Sequence, residues 1–214
     1  MDYDVISFGH DGCILARIDE SNLQIIKEDI FKIQNNFDTS VKVKDALAGN
    51  LQREYRLSSK SASKLHEIIF PYIEEYNKHF SYAHDLGFLD NDLPFSLDEP
   101  WINFQKKYEF NPLHKHTGVF SFVLWIQIPY TNENELKNPS VVDSNTRRPG
   151  NFEFAYTSTL GQIKTHPIPA DKTMENSMII FPSTMMHCVY PFYTSDDYRI
   201  SVAGNYLLTT KYFQ

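Results

Sequence analysis

A mainly β fold with flanking helices and a sandwich or jelly-roll core is what this sequence predicts. Two observations carry that expectation. The chain is rich in aromatic residues, 14% in all, with 16 Phe and 13 Tyr, and such side chains fit pleated surfaces. From Trp101 onward, short apolar segments alternate with turns: Val119–Ile128, Phe152–Thr157, Gly161–Ile168, Ser177–Phe181, Met185–Tyr190 and Tyr198–Leu208. Short strands in series suggest two packed sheets. With 214 residues, 42% of them hydrophobic, the chain can bury one real core. The expected organisation is a single domain over 1–214, with an α/β elaboration over 1–100 and a jelly-roll core over 101–214.

The elements follow in chain order. Asp19 or Ser21 is placed to cap a helix through Leu23, Ile26, Ile30 and Ile33,. A second helix is read from Leu65, Ile68, Ile69, Tyr72, Ile73, Tyr76 and Phe80, which recur at helical spacing after the cap candidates Ser61 and Ser63,. Pro71 lies inside that pattern and predicts a kink or a boundary. Leu86 to Pro100, with Asp90-Asn91-Asp92 and two prolines, reads as a loop. Thr131–Gly150 is polar, with Asn132, Asn134, Asn138 and Asn145. It reads as a long connection without structure of its own, either a lid or a floppy hairpin.

Composition excludes some functions. The net charge is −7, from 20 basic and 27 acidic residues, so the broad positive field needed to grip nucleic-acid phosphates is not expected. Two cysteines, Cys13 and Cys188, form no disulfide framework and suit a reducing compartment. Met1-Asp2-Tyr3-Asp4 is acidic where a secretory leader would be basic. The longest apolar run, Val119–Ile128, is too short to span a membrane. A soluble cytoplasmic protein with no membrane partner is expected.

The chemistry-bearing residues are few. Asn111-Pro112-Leu113-His114-Lys115-His116-Thr117-Gly118 enters the most apolar segment. Histidines at i and i+2 on a strand share a face, and neutral imidazole is the commonest side-chain metal ligand. Far downstream, His187 follows the turn after the strand ending at Phe181 and can return beside the first pair. Three such donors on one face of an ion leave positions open for reactants, as in non-haem iron oxygenases. On the last strand Arg199, Ser201 and Ala203 alternate with Ile200 and Val202. A buried arginine needs an anionic partner. Taken alone, Arg199 suits a structural ion pair with one of the 27 acids. Taken with the histidines, it suits a clamp for a ligand carboxylate, with Ser201 adding a hydrogen bond. Trp101 and Asn103 are candidate pocket residues. His10, His66, His79, His84 and His166 read as surface or satisfied polar groups, Trp125, Phe120 and Phe122 as core, and Arg147-Arg148 as a solvated pair.

Glu109-Phe110-Asn111-Pro112-Leu113-His114-Lys115-His116-Thr117-Gly118, Ser121-Phe122-Val123-Leu124, Phe181-Pro182-Ser183, Met186-His187-Cys188-Val189-Tyr190-Pro191 and Arg199-Ile200-Ser201 together resemble phage-encoded 2-oxoglutarate/Fe(II) oxygenases of the prolyl-hydroxylase-like type. The resemblance covers about Trp101 to Leu208; Leu47-Ala48-Gly49-Asn50 and Glu54-Tyr55 resemble the same family more weakly. It implies a double-stranded β-helix, cupin-like, with Fe(II) at its open end and 2-oxoglutarate as cosubstrate. It implies His114 and His187 as iron ligands, and Arg199 with Ser201 as the binding pair for 2-oxoglutarate. His116 stands where the superfamily usually has a carboxylate, and is taken as the third ligand, with Glu153 or Asp143 as alternative donors. The implied reaction is hydroxylation of a small molecule or protein side chain with O2, giving succinate and CO2, in the host cytoplasm if the gene is phage-borne. Two other functions stay open: a three-histidine dioxygenase without 2-oxoglutarate, and a non-catalytic metal-binding jelly roll holding Zn(II). Against a cupin of the first kind, Val119, Phe120 and Ser121 stand where its first motif would place a glutamate.

Overall fold

The computed structural model describes residues 1–8, 11–43, 47–87 and 95–208. Two antiparallel sheets face one another. The larger runs β1 (Tyr3–Ser7), β2 (Gly12–Arg17), β10 (Ser177–Pro182), β7 (Phe120–Gln127), β12 (Arg199–Leu208), β5 (Trp101–Gln105), β3 (Glu54–Arg56), with β4 (Phe95–Leu97) pairing the far end of β12. The smaller runs β6 (Asn111–His114), β11 (Met186–Val189), β8 (Phe152–Thr157), β9 (Ile163–Ile168). This is the jelly roll expected from the sequence. Strands from the first hundred residues widen the larger sheet: β2 pairs β10 from Ser177↔Arg17 to Ile180↔Ile14, and β3 pairs β5.

Alternation explains how the faces are assigned. β10 reads Ser-Met-Ile-Ile-Phe-Pro and is buried throughout, because its two faces meet different cores. Met178 and Ile180 turn outward to the helices, and Ile179 and Phe181 turn inward to the second sheet. The outer core packs α1 (Gln24–Gln34), α2 (Ser59–Phe80) and the short α3 (Tyr82–Asp85) on the large sheet. The inner core holds Trp125, Phe152, Phe154, Phe181 and Phe192 between the sheets. Among the described residues, no helix is long and apolar enough to cross a membrane.

Several expectations are corrected. The first helix begins as a 3-10 turn, Glu20–Leu23, after Asp19, whose side chain makes no capping bond. The second is capped by Ser58, which accepts from the Ser61 amide, and not by Ser61 or Ser63. It continues through Pro71 to Phe80. Pro71 removes one ladder bond, but Leu65, Ile69, Tyr72, Ile73 and Tyr76 stay buried on both sides of it, so packing outweighs local propensity. Within the presumed loop before Pro100, Phe95–Leu97 is a strand with Phe95 buried; three residues are too few to show a period, and Asp90-Asn91-Asp92 lies outside the described residues.

Thr131–Gly150 is not structureless either. It contains α4 (Asn132–Leu136), capped by Thr131, and α5 (Pro139–Val142), capped by Asn138 with proline in the first turn,. The Glu135 carboxylate is fully buried and accepts from the amides of Tyr193 and Thr194, each at 2.8 Å. The segment is thereby fastened to the strand-connecting loop before β12.

Candidate metal centre

His114 ends β6 and His187 lies second in β11, and the two are direct partners across the smaller sheet. Their rings are 4.3 Å apart. His116 lies beyond β6, not on it. Its amide donates to Ser183 O at 2.8 Å, which ties this turn to the turn before β11. Its ring comes within 4.9 Å of each of the other two. The potential ligand nitrogens of all three lie within 4.8 Å of one another.

Two of the rings are held in a defined sense. Nδ1 of His114 lies 2.6 Å from Pro112 O, and Nδ1 of His187 lies 2.9 Å from Met185 O. A carbonyl only accepts, so each Nδ1 carries the proton and each Nε2 keeps its lone pair for an ion. His187 stacks on Phe152 at 5.2 Å and meets Phe181 edge-on. Burial disfavours the charged imidazole in all three. It holds His114 below the usual value against the opposing pull of Pro112 O, brings His116 to about 4 with help from His114, and pushes His187 well down. Three neutral, converging nitrogens at neutral pH fit a divalent transition metal.

The same pocket carries Arg199. Its register shows how far it stands from the histidines. Arg199 pairs Gln105, Ser201 pairs Asn103, and Ala203 pairs Trp101. On the other side of β12, Ser201 pairs Trp125 and Ala203 pairs Val123. All of these line the pocket, so they form three successive rows. The Trp101 ring, in the third row, is 5.8 Å from His116. Arg199 is thus at the opposite end of the pocket from the histidines.

Arg199 is 3% exposed. Its Nη1 donates to Tyr130 Oη at 2.8 Å and to Gly150 O at 2.7 Å, and its Nη2 donates to Gln105 Oε1. All three acceptors are neutral. Among the described residues no carboxylate forms an ion pair with it. A guanidinium has five donors, so Nε–H and one Nη2–H remain. The structural ion pair weighed from sequence is therefore not what is seen.

The family model described as "Putative 2OG-Fe(II) oxygenase" matches residues 99–205, half of the chain. The chain belongs to this family. It is a 2-oxoglutarate/Fe(II)-dependent oxygenase, and its cofactors are Fe(II) and 2-oxoglutarate. Solved structures share the fold at low identity. A Pseudomonas putida prolyl-4-hydroxylase matches with TM-score 0.56 at 12% identity, over 92% of this chain and 93% of that one. The non-haem α-ketoglutarate-dependent epimerase SnoN of nogalamycin biosynthesis matches with TM-score 0.57 at 11% identity, over 92% and 78%. A 2OG-Fe(II) oxygenase-family oxidoreductase from Burkholderia pseudomallei matches with TM-score 0.53 at 12%, over 91% and 84%. No curated protein matches the chain.

In this oxygenase His114, His116, His187, Arg199 and Ser201 all line one pocket. Neither alternative carboxylate joins the histidines. Glu153 is taken by Arg148 at 2.7 Å and faces Tyr190, and Asp143 is exposed after α5. Arg148 is therefore not a merely solvated residue. Trp101 and Asn103 line the pocket, and Trp125 serves both pocket and core. Gln105, Tyr130 and Gly150 were missed. Gln105 was findable, since it continues the alternation Trp101, Asn103. Tyr130 and Gly150 frame the α4–α5 segment, where nothing local signals a role. Gly150 sits at φ +69°, and a Cβ there would meet the Tyr130 ring at 2.7 Å. The remaining described histidines are peripheral: His66 meets Tyr206 Oη, His79 meets Tyr3 Oη, His84 lies by Asp85, and His166 packs on Phe8; His10 lies outside the described residues.

Proposed function

We propose that this oxygenase hydroxylates a small molecule or a protein side chain, with succinate and CO2 as co-products. His114, His116 and His187 would hold Fe(II), and Arg199 with Ser201 would hold 2-oxoglutarate. One observation carries the reading: a buried guanidinium, satisfied by three neutral acceptors, keeps two donors in the pocket that also holds three converging imidazoles. A buried positive charge without an anion is costly. A dicarboxylic ligand reaching from the histidines to Arg199 supplies that anion.

When bound, Fe(II) with 2-oxoglutarate and dioxygen supplies the oxidising power to convert R–H to R–OH, one oxygen atom going to the product and one to succinate. The chain's own residues position and exclude. Arg199 fixes one end of the cosubstrate. Pro112 O and Met185 O fix the tautomers and aim of two imidazoles. Phe152 and Phe181 pack against His187 and keep water from the inner side of the centre. Replacing a superfamily carboxylate by His116 leaves the ligand set neutral, so the centre retains the full metal charge toward an anionic cosubstrate.

The test is anaerobic titration with Fe(II) and then 2-oxoglutarate, reading the metal-to-ligand charge-transfer absorption. Wild type should develop the band, and His114→Ala and His187→Ala should lose both iron binding and turnover. Full turnover by either variant would remove these histidines from the centre.

A further inference from the structure

Asn103 stands in the middle row of the pocket, between the Arg199 row and the Trp101 row that touches His116. It is 8% exposed. Its Nδ2 reaches Ser201 Oγ at a long 3.4 Å, and its Oδ1 is buried with no hydrogen-bond partner among the described residues. A buried, half-satisfied carboxamide is costly and calls for an explanation. Across the pocket, Asn111 Oδ1 is in the same condition. An unpaired carboxamide atom in a ligand pocket points to a partner that the ligand brings: a donor for Oδ1 or, with the amide turned over, an acceptor for the NH2.

The spacing says which part of a ligand arrives there. Successive rows on a strand face are about 6.7 Å apart. A five-carbon diacid has four C–C bonds of ~1.5 Å and spans about 5 Å between its terminal carbons. Held by its far carboxylate on Arg199, such a molecule brings its other end to the row of Asn103 and Ser201. That end is a 2-oxo acid, which offers acceptors only. The carboxamide can meet it, because amide oxygen and nitrogen are interchangeable by a half-turn of the side chain. After that turn Oδ1 accepts from the Ser201 hydroxyl, and the NH2 faces the pocket as a donor.

We infer that Asn103 is a specificity residue for the 2-oxo-acid end of the cosubstrate, acting separately from the Arg199 clamp. The inference rests on the assignment of Arg199 to the far carboxylate. It assigns the two ends of one ligand to two rows of one pocket, and so predicts that they can be separated by mutation.

The chain's two tryptophans, Trp101 and Trp125, both line this pocket, so ligand entry is readable without turnover. Full-length protein loaded with redox-silent Co(II) is titrated anaerobically, following tryptophan fluorescence, with two probes. One is 2-oxoglutarate. The other is 2-oxopentanoate, which keeps the five-carbon chain and the oxo-acid end but lacks the far carboxylate. Asn103→Leu should weaken both probes by the same factor, about tenfold, and Asn103→Asp, which keeps the shape and adds a repelling charge, by more. Asn103→Asp also serves if the leucine variant does not fold. Equal affinity of the variants and wild type for 2-oxopentanoate would overturn the inference, whether or not 2-oxoglutarate binding falls, since a loss confined to 2-oxoglutarate means Asn103 acts only through Arg199. Failure of the clamp looks different: wild type would then bind both probes alike, and the 2-oxopentanoate series alone would decide for or against Asn103.

Discussion

Arg199→Lys keeps the positive charge and removes the fork. That makes it the sharpest test of how the pocket holds its cosubstrate. Tyr130 Oη, Gly150 O and Gln105 Oε1 take three of the five guanidinium donors. An ammonium has three donors in all. A lysine that satisfies those acceptors has none left, and one that turns to a ligand carboxylate abandons buried acceptors. Two hydrogen bonds to a charged carboxylate contribute ~1.5–3 kcal/mol each. The retained charge returns part of this, so the expected net loss is about 3 kcal/mol, or roughly a hundredfold in Kd for 2-oxoglutarate. The assay is anaerobic titration of the Fe(II)-loaded variant, following the charge-transfer band. Fe(II) binding itself should be unchanged, because Arg199 stands at the far end of the pocket from the three histidines. A variant that binds 2-oxoglutarate within about threefold of wild type would refute the donor count. One that loses Fe(II) as well would show that Arg199 shapes the whole pocket.

Other outcomes follow from burial. Burial holds His116 at about 4, whereas an imidazole in the unfolded chain titrates near 6.5. Above about 6.5 both states are neutral there and stability does not change with pH. Between about 6.5 and 4 the unfolded chain binds more protons, so the metal-free protein loses stability as the pH falls through that window; a thermal midpoint equal at about pH 7.5 and pH 5 would contradict this. Glu135→Ala strands the amides of Tyr193 and Thr194 and should cost about 3 kcal/mol in urea unfolding; a loss below ~1 kcal/mol would mean that the α4–α5 segment is not held there. Burial pushes the Cys13 thiol up to about 12 and Cys188 to about 11, so neither is a thiolate near pH 8. A disulfide-exchange reagent should label neither cysteine until denaturant is added, and fast labelling of Cys188 in the native protein would contradict its placement.

Legibility in the sequence tracked the range of the interactions. β8 could be placed to the residue because Phe152–Thr157 alternates and is bounded by turns. β12 came within a residue for the same reason, and β10 did so as a continuous apolar run bounded by turns,. The share of the last strand in the pocket was visible too, since Arg199, Ser201 and Ala203 lie on one strand face by period alone. What period could not give was the partner of each row. Whether a buried arginine meets an acid or neutral oxygens depends on Tyr130 and Gly150, which lie 69 and 49 residues away. The neutral answer is what distinguishes a clamp from a structural pair, and it is fixed by long-range packing. The same holds for α2, where Pro71 is locally a breaker and the buried face on either side of it carries the helix through.

His116 shows the limit most clearly. The expectation that two histidines at i and i+2 share a strand face was right about the convergence and wrong about its cause. β6 stops at His114, so alternation ends one residue too soon to orient His116. Its place is set by its own amide bonding Ser183 O and by the Trp101 ring beside it. Two of the three imidazoles are therefore fixed by strand register and by carbonyls two residues away in the chain. The third is fixed by the contact between two turns, β6–β7 and β10–β11. Nδ1 of His114 and of His187 is held by a carbonyl, and among the described residues no such bond holds the His116 ring. The ring most easily re-aimed is thus the one standing where the family resemblance of the sequence leads one to expect a carboxylate. With the three imidazoles as the proposed ligands, adjustment on taking up metal would fall on His116 first, because turning it breaks no ladder bond of either sheet.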